Sequence, residues 1–463
     1  AILNAPGQTT VLTQVLSPDL LVLALIAGLV GAMFNLTVAF VAGIGLGVVV
    51  ELLNWNIANP ATVELILFGI LLLVLLVRVA ALQKGARSGE RSTWLSGSAD
   101  FRRRAGQLRE RVGNAGVLAT VVIVALLPFV ISTGRSFLLS QICIYGVVAL
   151  SLTVLTGWAG QVSLGQFGLV AVGAIMAAHL GNSVPLVLLL PFAGAVTAAV
   201  AVVVGLPALR VRGLYLAVST LGFALFMQES VLSTPCAHVP VIGKTICTGL
   251  PDPQSTLLVR PTLFGLSLGS ERAFAWFSFG ILILSVLMVR VWRDRGVARR
   301  LVAVRDNEVA AGAMGIPVMR TKLLAFALSG FMAGYAGVCF AFATERISAS
   351  TFDPAVSILV ISMVVIGGLG SIPGAVLGAV YLVGLPAIFG TTSTIQFITS
   401  GFGLLAFILY LPGGLAEILH RIGDLATSGI VRLRDGPPGP TAPAPSDEPP
   451  PLKPDELVEE VVG

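Results

Sequence analysis

Arg305-Asp306-Asn307-Glu308-Val309-Ala310-Ala311-Gly312-Ala313-Met314-Gly315-Ile316 is a charged, helix-forming stretch, and soon after it Lys322-Leu323-Leu324-Ala325-Phe326 opens an apolar run that continues to residue 343. A second apolar run, residues 273–292, precedes it. Each run is about 20 residues long, enough to cross a hydrocarbon core of roughly 30 Å as a helix. A short polar helix held between two such runs is the pattern of a membrane protein that presents a docking element to a soluble partner. Ala310 and Ala311 keep a helix surface low, Gly315 permits a turn after it, and Glu308 with the neighbouring arginines offers charge. An ordinary cytoplasmic amphipathic helix is the competing reading of such a charge run.

The whole chain agrees with the membrane reading. Of its residues 56% are hydrophobic and 11% charged, with a mean hydropathy of +0.95, whereas soluble domains carry about 25% charged residues. The expected fold is all-α, a polytopic bundle of transmembrane helices rich in the small residues that let helices pack closely in lipid. Spans are predicted near 116–133, 138–157, 166–183, 185–206, 214–233, 273–292, 323–343, 355–370, 374–390 and 397–415. Residues 83–115 carry Lys84 and seven arginines against Glu90, Asp100 and Glu110, and a second basic segment runs from Arg290 to Lys322. The positive-inside rule puts both in the cytoplasm. About ten spans then place 234–272 outside and Arg210 and Arg212 inside. The net charge of +5 reflects those loops and gives no reason to invoke nucleic acid.

Four regions follow. Residues 1–82 hold about three further apolar segments, near 19–34, 36–53 and 62–82. Residues 83–115 form a basic cytoplasmic linker and 116–420 the main membrane unit. Residues 421–463 form a tail, rich in proline and without aromatic residues from Asp435 to Pro451, which is expected to stay disordered in the cytoplasm. Gly28-Leu29-Val30-Gly31-Ala32 echoes Gly367-Gly368-Leu369-Gly370-Ser371; such an echo either arises by chance in a glycine-rich membrane chain or marks the first region as the end of one membrane unit joined to a second.

Five blocks occur in one order: Gly157-Trp158-Ala159-Gly160-Gln161-Val162-Ser163-Leu164-Gly165-Gln166, Arg212-Gly213-Leu214-Tyr215-Leu216-Ala217, the 305–326 region, Gly367 to Gly378, and Leu409-Tyr410-Leu411-Pro412-Gly413-Gly414-Leu415. This order resembles LivM-type permease subunits of branched-chain amino-acid ABC transporters over about residues 116–420. Residues 19–82 look like the C-terminal part of a companion LivH-type permease, so the chain resembles a fusion lacking most of its first half. The resemblance implies a multi-pass protein of the bacterial inner membrane that imports branched-chain amino acids or a near relative such as urea or short amides. The implied partners are two cytoplasmic ABC ATPase subunits, an extracytoplasmic solute-binding protein, the missing LivH-like half or a second permease, and membrane lipid. ATP would be bound by the ATPases, with no cofactor on this chain. The coupling residues would be Arg305, Asp306, Asn307, Glu308, Ala310, Ala311 and Gly315, with Val309 separating the acid from the alanines.

Two glycine-rich breaks carry a physical argument of their own. Gly157, Gly160 and Gly165 interrupt a span boundary beside Gln161, Ser163 and Gln166, polar groups that are costly in lipid unless they face protein or water. Irregular backbone at membrane depth is tolerated where it lines a cavity, which makes these residues candidates to line the pathway. Gly367, Gly368 and Gly370 form a second break with only Ser371 as a polar companion. Tight helix packing is the alternative for both.

Catalytic chemistry finds no frame. Gly243-Lys244-Thr245 lacks the glycine five positions earlier that a phosphate loop needs, His238 standing there instead. His179, His238 and His420 are scattered and no HExxH pair is present, so no metal site is expected. Ser163 lacks the nucleophile frame, with Gln161 two positions before it. Cys143 and Cys339 lie in apolar runs, whereas Cys236 and Cys247 share the predicted outer loop, where a disulfide can form or two free thiols can remain. A secondary transporter or channel is the alternative function; its expected mid-membrane acid is wanting, because Glu64 and Glu229 stand near span ends.

Overall fold

Helix accounts for nearly all the structure, as it must where no water is available to satisfy backbone groups. The computed structural model describes residues 27, 36–56, 63, 66–70, 133–208, 214–233, 237–239, 244–246, 250–251, 256–263, 266–389 and 414–417. These all belong to one of two compact units, while the other, 102–117 with 418–463, lies outside the described residues. So do the predicted basic linker, the Pro-rich tail, all but the last residue of the span at 116–133 and most of the one at 397–415.

In chain order the helices are α1 (Leu36–Asn56), α2 (Thr133–Leu152), α3 (Gln166–Leu180), α4 (Leu186–Ala208), α5 (Leu214–Phe226) and α6 (Glu271–Asp294). They continue with α7 (Val297–Asp306), α8 (Glu308–Ala313), α9 (Val318–Thr344), α10 (Ala355–Gly367), α11 (Ile372–Ala379) and α12 (Leu385–Phe389). π-helical turns extend α2 through Thr153–Trp158, extend α5 through Met227–Leu232, and join α11 to α12 through Val380–Gly384. Six two- or three-residue strands form antiparallel pairs: β1 (Ala237–Val239) with β2 (Lys244–Ile246), β3 (Thr256–Leu257) with β6 (Arg346–Ile347), and β4 (Thr262–Leu263) with β5 (Leu266–Ser267).

Six helical segments among the described residues are long and apolar enough to cross a membrane: Thr37–Asn56, Arg135–Trp158, Leu186–Leu206, Glu271–Asp294, Val318–Thr344 and Ala349–Gly367. Gln166–Leu180, Leu216–Leu232 and Ile372–Ala387 are apolar but shorter. The shortfall has a cause at α3, whose 15 residues span about 22 Å at 1.5 Å per residue. The preceding break takes up the depth that another turn would fill.

α9 lies at the centre, packed against α4, α3 and α2. Small residues permit this: Gly330 meets Ala201, Gly334 meets Thr197 and Ala193, and Gly337 meets the Val170 carbonyl. Close backbone approach replaces hydrophobic driving force where the solvent is itself apolar. α1 is different, exposing Phe40, Val41, Ile44, Val48 and Leu52. Phe68, also in the N-terminal region, stacks on Phe226 with centroids 5.1 Å apart.

The contacts sort loops into two ends. At one, the 157–161 turn meets α7 and the 368–370 turn. At the other, β3 pairs with β6 beyond the C-terminus of α9. This is the grouping that alternating spans require of loops expected inside and outside. Arg260 secures the second end. Its buried guanidinium donates to the Phe342 carbonyl at 3.1 Å and the Ala343 carbonyl at 3.2 Å, and pairs with Glu271 at 2.7 Å and Glu345 at 2.8 Å.

Candidate functional site

The charged 305–316 segment is built from short-range rules. Gly296, at φ +82°, turns the chain from α6 into α7. Asn307 then caps α8, its side-chain oxygen accepting from the Val309 and Ala310 amides at 3.0 Å each, the usual role of asparagine at a helix start. α8 ends in a Schellman motif: Gly315, at φ +80°, donates to the Gly312 carbonyl and Ile316 donates to the Ala311 carbonyl, both at 3.0 Å. Only glycine or asparagine enters that conformation cheaply. Six residues are too few for a helix to persist alone, so α8 depends on these caps and on anchoring.

Two charges of the segment point inward. Glu308 accepts from Lys322 of α9 at 2.6 Å, with the lysine side chain only 8% exposed and the glutamate 28%. Arg305 donates to the Gly157 carbonyl at 2.7 Å and pairs with Asp306 at 2.9 Å, its side chain 14% exposed. Ala311 is buried as well. Facing outward are Asp306 and, more prominently, two apolar side chains, Val309 and Met314, each 80% exposed. The charge expected to meet a partner from Arg305 and Glu308 is thus engaged within the chain, and the open face of α8 is chiefly apolar. Sequence reading treats Val309 as a spacer; its signal was an apolar residue inside a polar segment where no core is available locally.

The first break begins where α2 passes into its π-helical turn. Ala159 donates to the Val154 carbonyl at 3.3 Å and Gln161 to the Leu155 carbonyl at 3.0 Å. Gly160, at φ +67°, leaves the helix with the Arg305 stem laid against it. Ser163 and Gln166 are buried and Gln161 half-buried. Gln166 donates to Ser151 Oγ at 2.6 Å and Ser329 Oγ at 3.0 Å, while its Oε1 has no hydrogen-bond partner among the described residues. Leu164 donates its amide to Thr220 Oγ1 at 3.0 Å, and Gly165 abuts the Thr220 carbonyl. A small cavity lies beside this turn, bounded by Ser163, Gly165, Thr220, Phe223 and Phe326.

The second break joins the first. Gly368 at φ +109° and Gly370 at φ +84° reverse the chain between α10 and α11, and Ser371 caps α11 by accepting from Gly374. Trp158 Nε1 donates to the Gly370 carbonyl at 3.3 Å. A Cβ placed on Gly157 would fall 2.6 Å from Gly370 Cα, and one on Gly414 2.7 Å from Gly368 Cα. Gly367 and Gly374 pack backbone to backbone. Described residues of four of the five sequence blocks therefore converge at one end, and Thr220, just beyond the fifth, joins them. Cys236 and Cys247 lie outside the described residues. No group of three or more histidine, cysteine or acidic side chains placed to hold a metal occurs among the described residues.

Comparison with known proteins gives this convergence a context. Residues 134–411 match the family described as branched-chain amino acid transport system / permease component. The high-affinity branched-chain amino acid transport system permease protein LivM of Salmonella typhimurium strain LT2 is 32% identical over 292 residues, and its Escherichia coli K12 counterpart 31% over the same length. Each alignment covers 58% of this chain and 66% of the relative, so the chain spans just under two thirds of their length. The autoinducer 2 import system permease protein LsrC of Enterobacter sp. strain 638 is 31% identical over 317 residues, covering 65% of this chain and 85% of the relative. No solved structure gives a significant match. With the match covering more than half of its length, and both glycine breaks and the α7–α8 segment inside it, the chain belongs to the branched-chain amino acid transport system permease family.

Proposed function

We propose that this chain is a membrane permease component of an ABC importer for branched-chain amino acids, driven by ATP hydrolysis on two separate cytoplasmic ATPase subunits. An extracytoplasmic binding protein delivers the solute, and the chain resides as a multi-pass protein in the bacterial inner membrane. Urea or a short amide is the alternative solute for such an importer. Residues 19–82 belong, on this reading, to a LivH-type permease that supplies the other half of the path.

The observation that carries the reading is α8. It is a short helix fixed by Asn307, Gly315 and the Glu308–Lys322 pair, with Val309 and Met314 turned outward on a segment between spans. An apolar pair outside the lipid calls for a protein cover, and burying each side chain contributes about 1.5–3 kcal/mol. The ATPase cleft is that cover.

The test is uptake of radiolabelled leucine by vesicles holding the full transporter. Uptake is expected to require ATP and to fail in Val309→Asp/Met314→Asp, with normal membrane insertion and loss of co-purifying ATPase. Leucine uptake that proceeds without ATPase subunits would establish a channel or secondary transporter instead. A second reading of the solute rests on the LsrC relative, of which this chain covers 85%; competition of leucine uptake by autoinducer 2 would favour it.

A further inference from the structure

Arg305 occupies an unusual position for a residue of a docking segment. It is next to last in α7, two positions before Asn307, the cap of α8, yet its guanidinium turns away from the open face of α8 and reaches the Gly157 carbonyl, 148 positions earlier in the chain, at 2.7 Å. Gly157 is next to last in the π-helical turn Thr153–Trp158, where helix carbonyls run out of amide donors. A charged donor is the strongest group available to satisfy such a carbonyl. Asp306 fixes the guanidinium from the other side, accepting from Nε at 3.0 Å and pairing with the terminal nitrogen at 2.9 Å.

The stem is confined as well as the head. Gly160, at φ +67°, has no side chain, and a Cβ there would fall 2.6 Å from Arg305 Cγ. The break thus leaves room for this arginine and for little else. On its opposite side Gly157 rests on Gly370, and Trp158 Nε1 holds the Gly370 carbonyl at 3.3 Å. One unbroken set of contacts joins the cap of α8, Arg305, the first break and the second break.

We infer that Arg305 is a positioning residue that conveys the displacement of the docking helix to both glycine breaks, acting from inside the permease and making no contact with the motor. The inference rests on the importer reading above and adds the route by which docking acts on the membrane helices. The geometry has the features such a route needs. The connection is a single charge-assisted hydrogen bond to irregular backbone, and both breaks contain glycines at positive φ that reorient at low steric cost. A coupling route differs measurably from a docking contact, because its loss spares ATPase binding and removes transport per ATP.

The experiment uses the full transporter purified with its ATPase subunits, and compares Arg305→Gln with Val309→Asp/Met314→Asp. Arg305→Gln is expected to retain the co-purifying ATPase and its ATP hydrolysis while leucine uptake per ATP falls about tenfold or more, the factor that one lost hydrogen bond to a charged group commands. Arg305→Lys, which keeps a charged donor without the fork that also engages Asp306, is expected to recover part of the uptake. If Arg305→Gln does not accumulate in the membrane, the lysine variant and Gly160→Ala, whose new methyl displaces the arginine stem, carry the same test. Loss of co-purifying ATPase in the Arg305 variants would overturn the inference by making Arg305 a docking contact; unchanged uptake per ATP would overturn it by making the bond merely structural. Retained docking in Val309→Asp/Met314→Asp would count against the importer reading itself, leaving the two failures distinguishable.

Discussion

Removing the charge of Glu308 separates an internal anchor from a partner contact. In the structure its carboxylate lies 2.6 Å from the Lys322 ammonium, and the lysine side chain is 8% exposed against 28% for the glutamate. Two unit charges about 4 Å apart attract by about 4 kcal/mol at an effective dielectric of 20, and the partial exposure of Glu308 lowers that figure. Glu308→Gln leaves the less exposed member, Lys322, without its counter-ion. The expected cost is about 2–3 kcal/mol, between exposed pairs and fully buried ones. It falls on α8, whose six residues cannot form a stable helix alone. Hydrogen exchange followed by mass spectrometry reads this locally, because the Ala311 and Ile316 amides are both bonded within the segment at 3.0 Å. Their exchange should quicken by about 30- to 150-fold in Glu308→Gln, the factor equivalent to that cost. Lys322→Met should do less, because the carboxylate, at 28% exposure, can hydrate. The double variant should regain most of the protection, with an interaction energy of about 1–3 kcal/mol. If the double variant exchanges as fast as Glu308→Gln, the acid is not held by Lys322 and the anchor reasoning is wrong.

Three further outcomes are expected. Arg260→Met should lower thermal stability in detergent by about 2–4 kcal/mol, because it strands the Phe342 and Ala343 carbonyls at the end of α9; a thiol-reactive dye reports the unfolding through Cys143 and Cys339, each 1% exposed, and an unchanged midpoint would refute the staple. Gln166→Met should change stability by less than about 1 kcal/mol, since it removes a carbonyl oxygen without a partner along with the two bonds to serine. A fall in leucine uptake at unchanged stability would mark Gln166 as part of the pathway, and unchanged uptake would mark it as packing. Cys236 and Cys247 share the loop expected to lie outside, where an oxidising environment allows a disulfide. Intact-mass analysis after alkylation without reductant should find neither of them labelled, and labelling of both would exclude the bridge.

The sequence by itself determined the class and the punctuation of this protein. Apolar runs partition into a low-dielectric medium whatever their neighbours do, so α2, α4, α6, α9 and α10 follow from composition and length within a few residues of their observed limits. The turns were legible for an equally local reason: Gly160, Gly315, Gly368 and Gly370 all adopt positive φ, a conformation that other residues enter only under strain. The Asn307 cap of α8 is equally local, bonding amides two and three positions away, but it was not among the expectations drawn from the sequence. The direction taken by each side chain was decided only by the tertiary structure. Nothing local indicates that Arg305 turns inward to Gly157, 148 positions away, that Arg260 closes the end of α9 from 82 positions away, or that Glu308 is held by Lys322 while Val309 faces outward. A charged side chain settles where distant backbone and counter-charges converge, and that convergence exists only once the helices have packed.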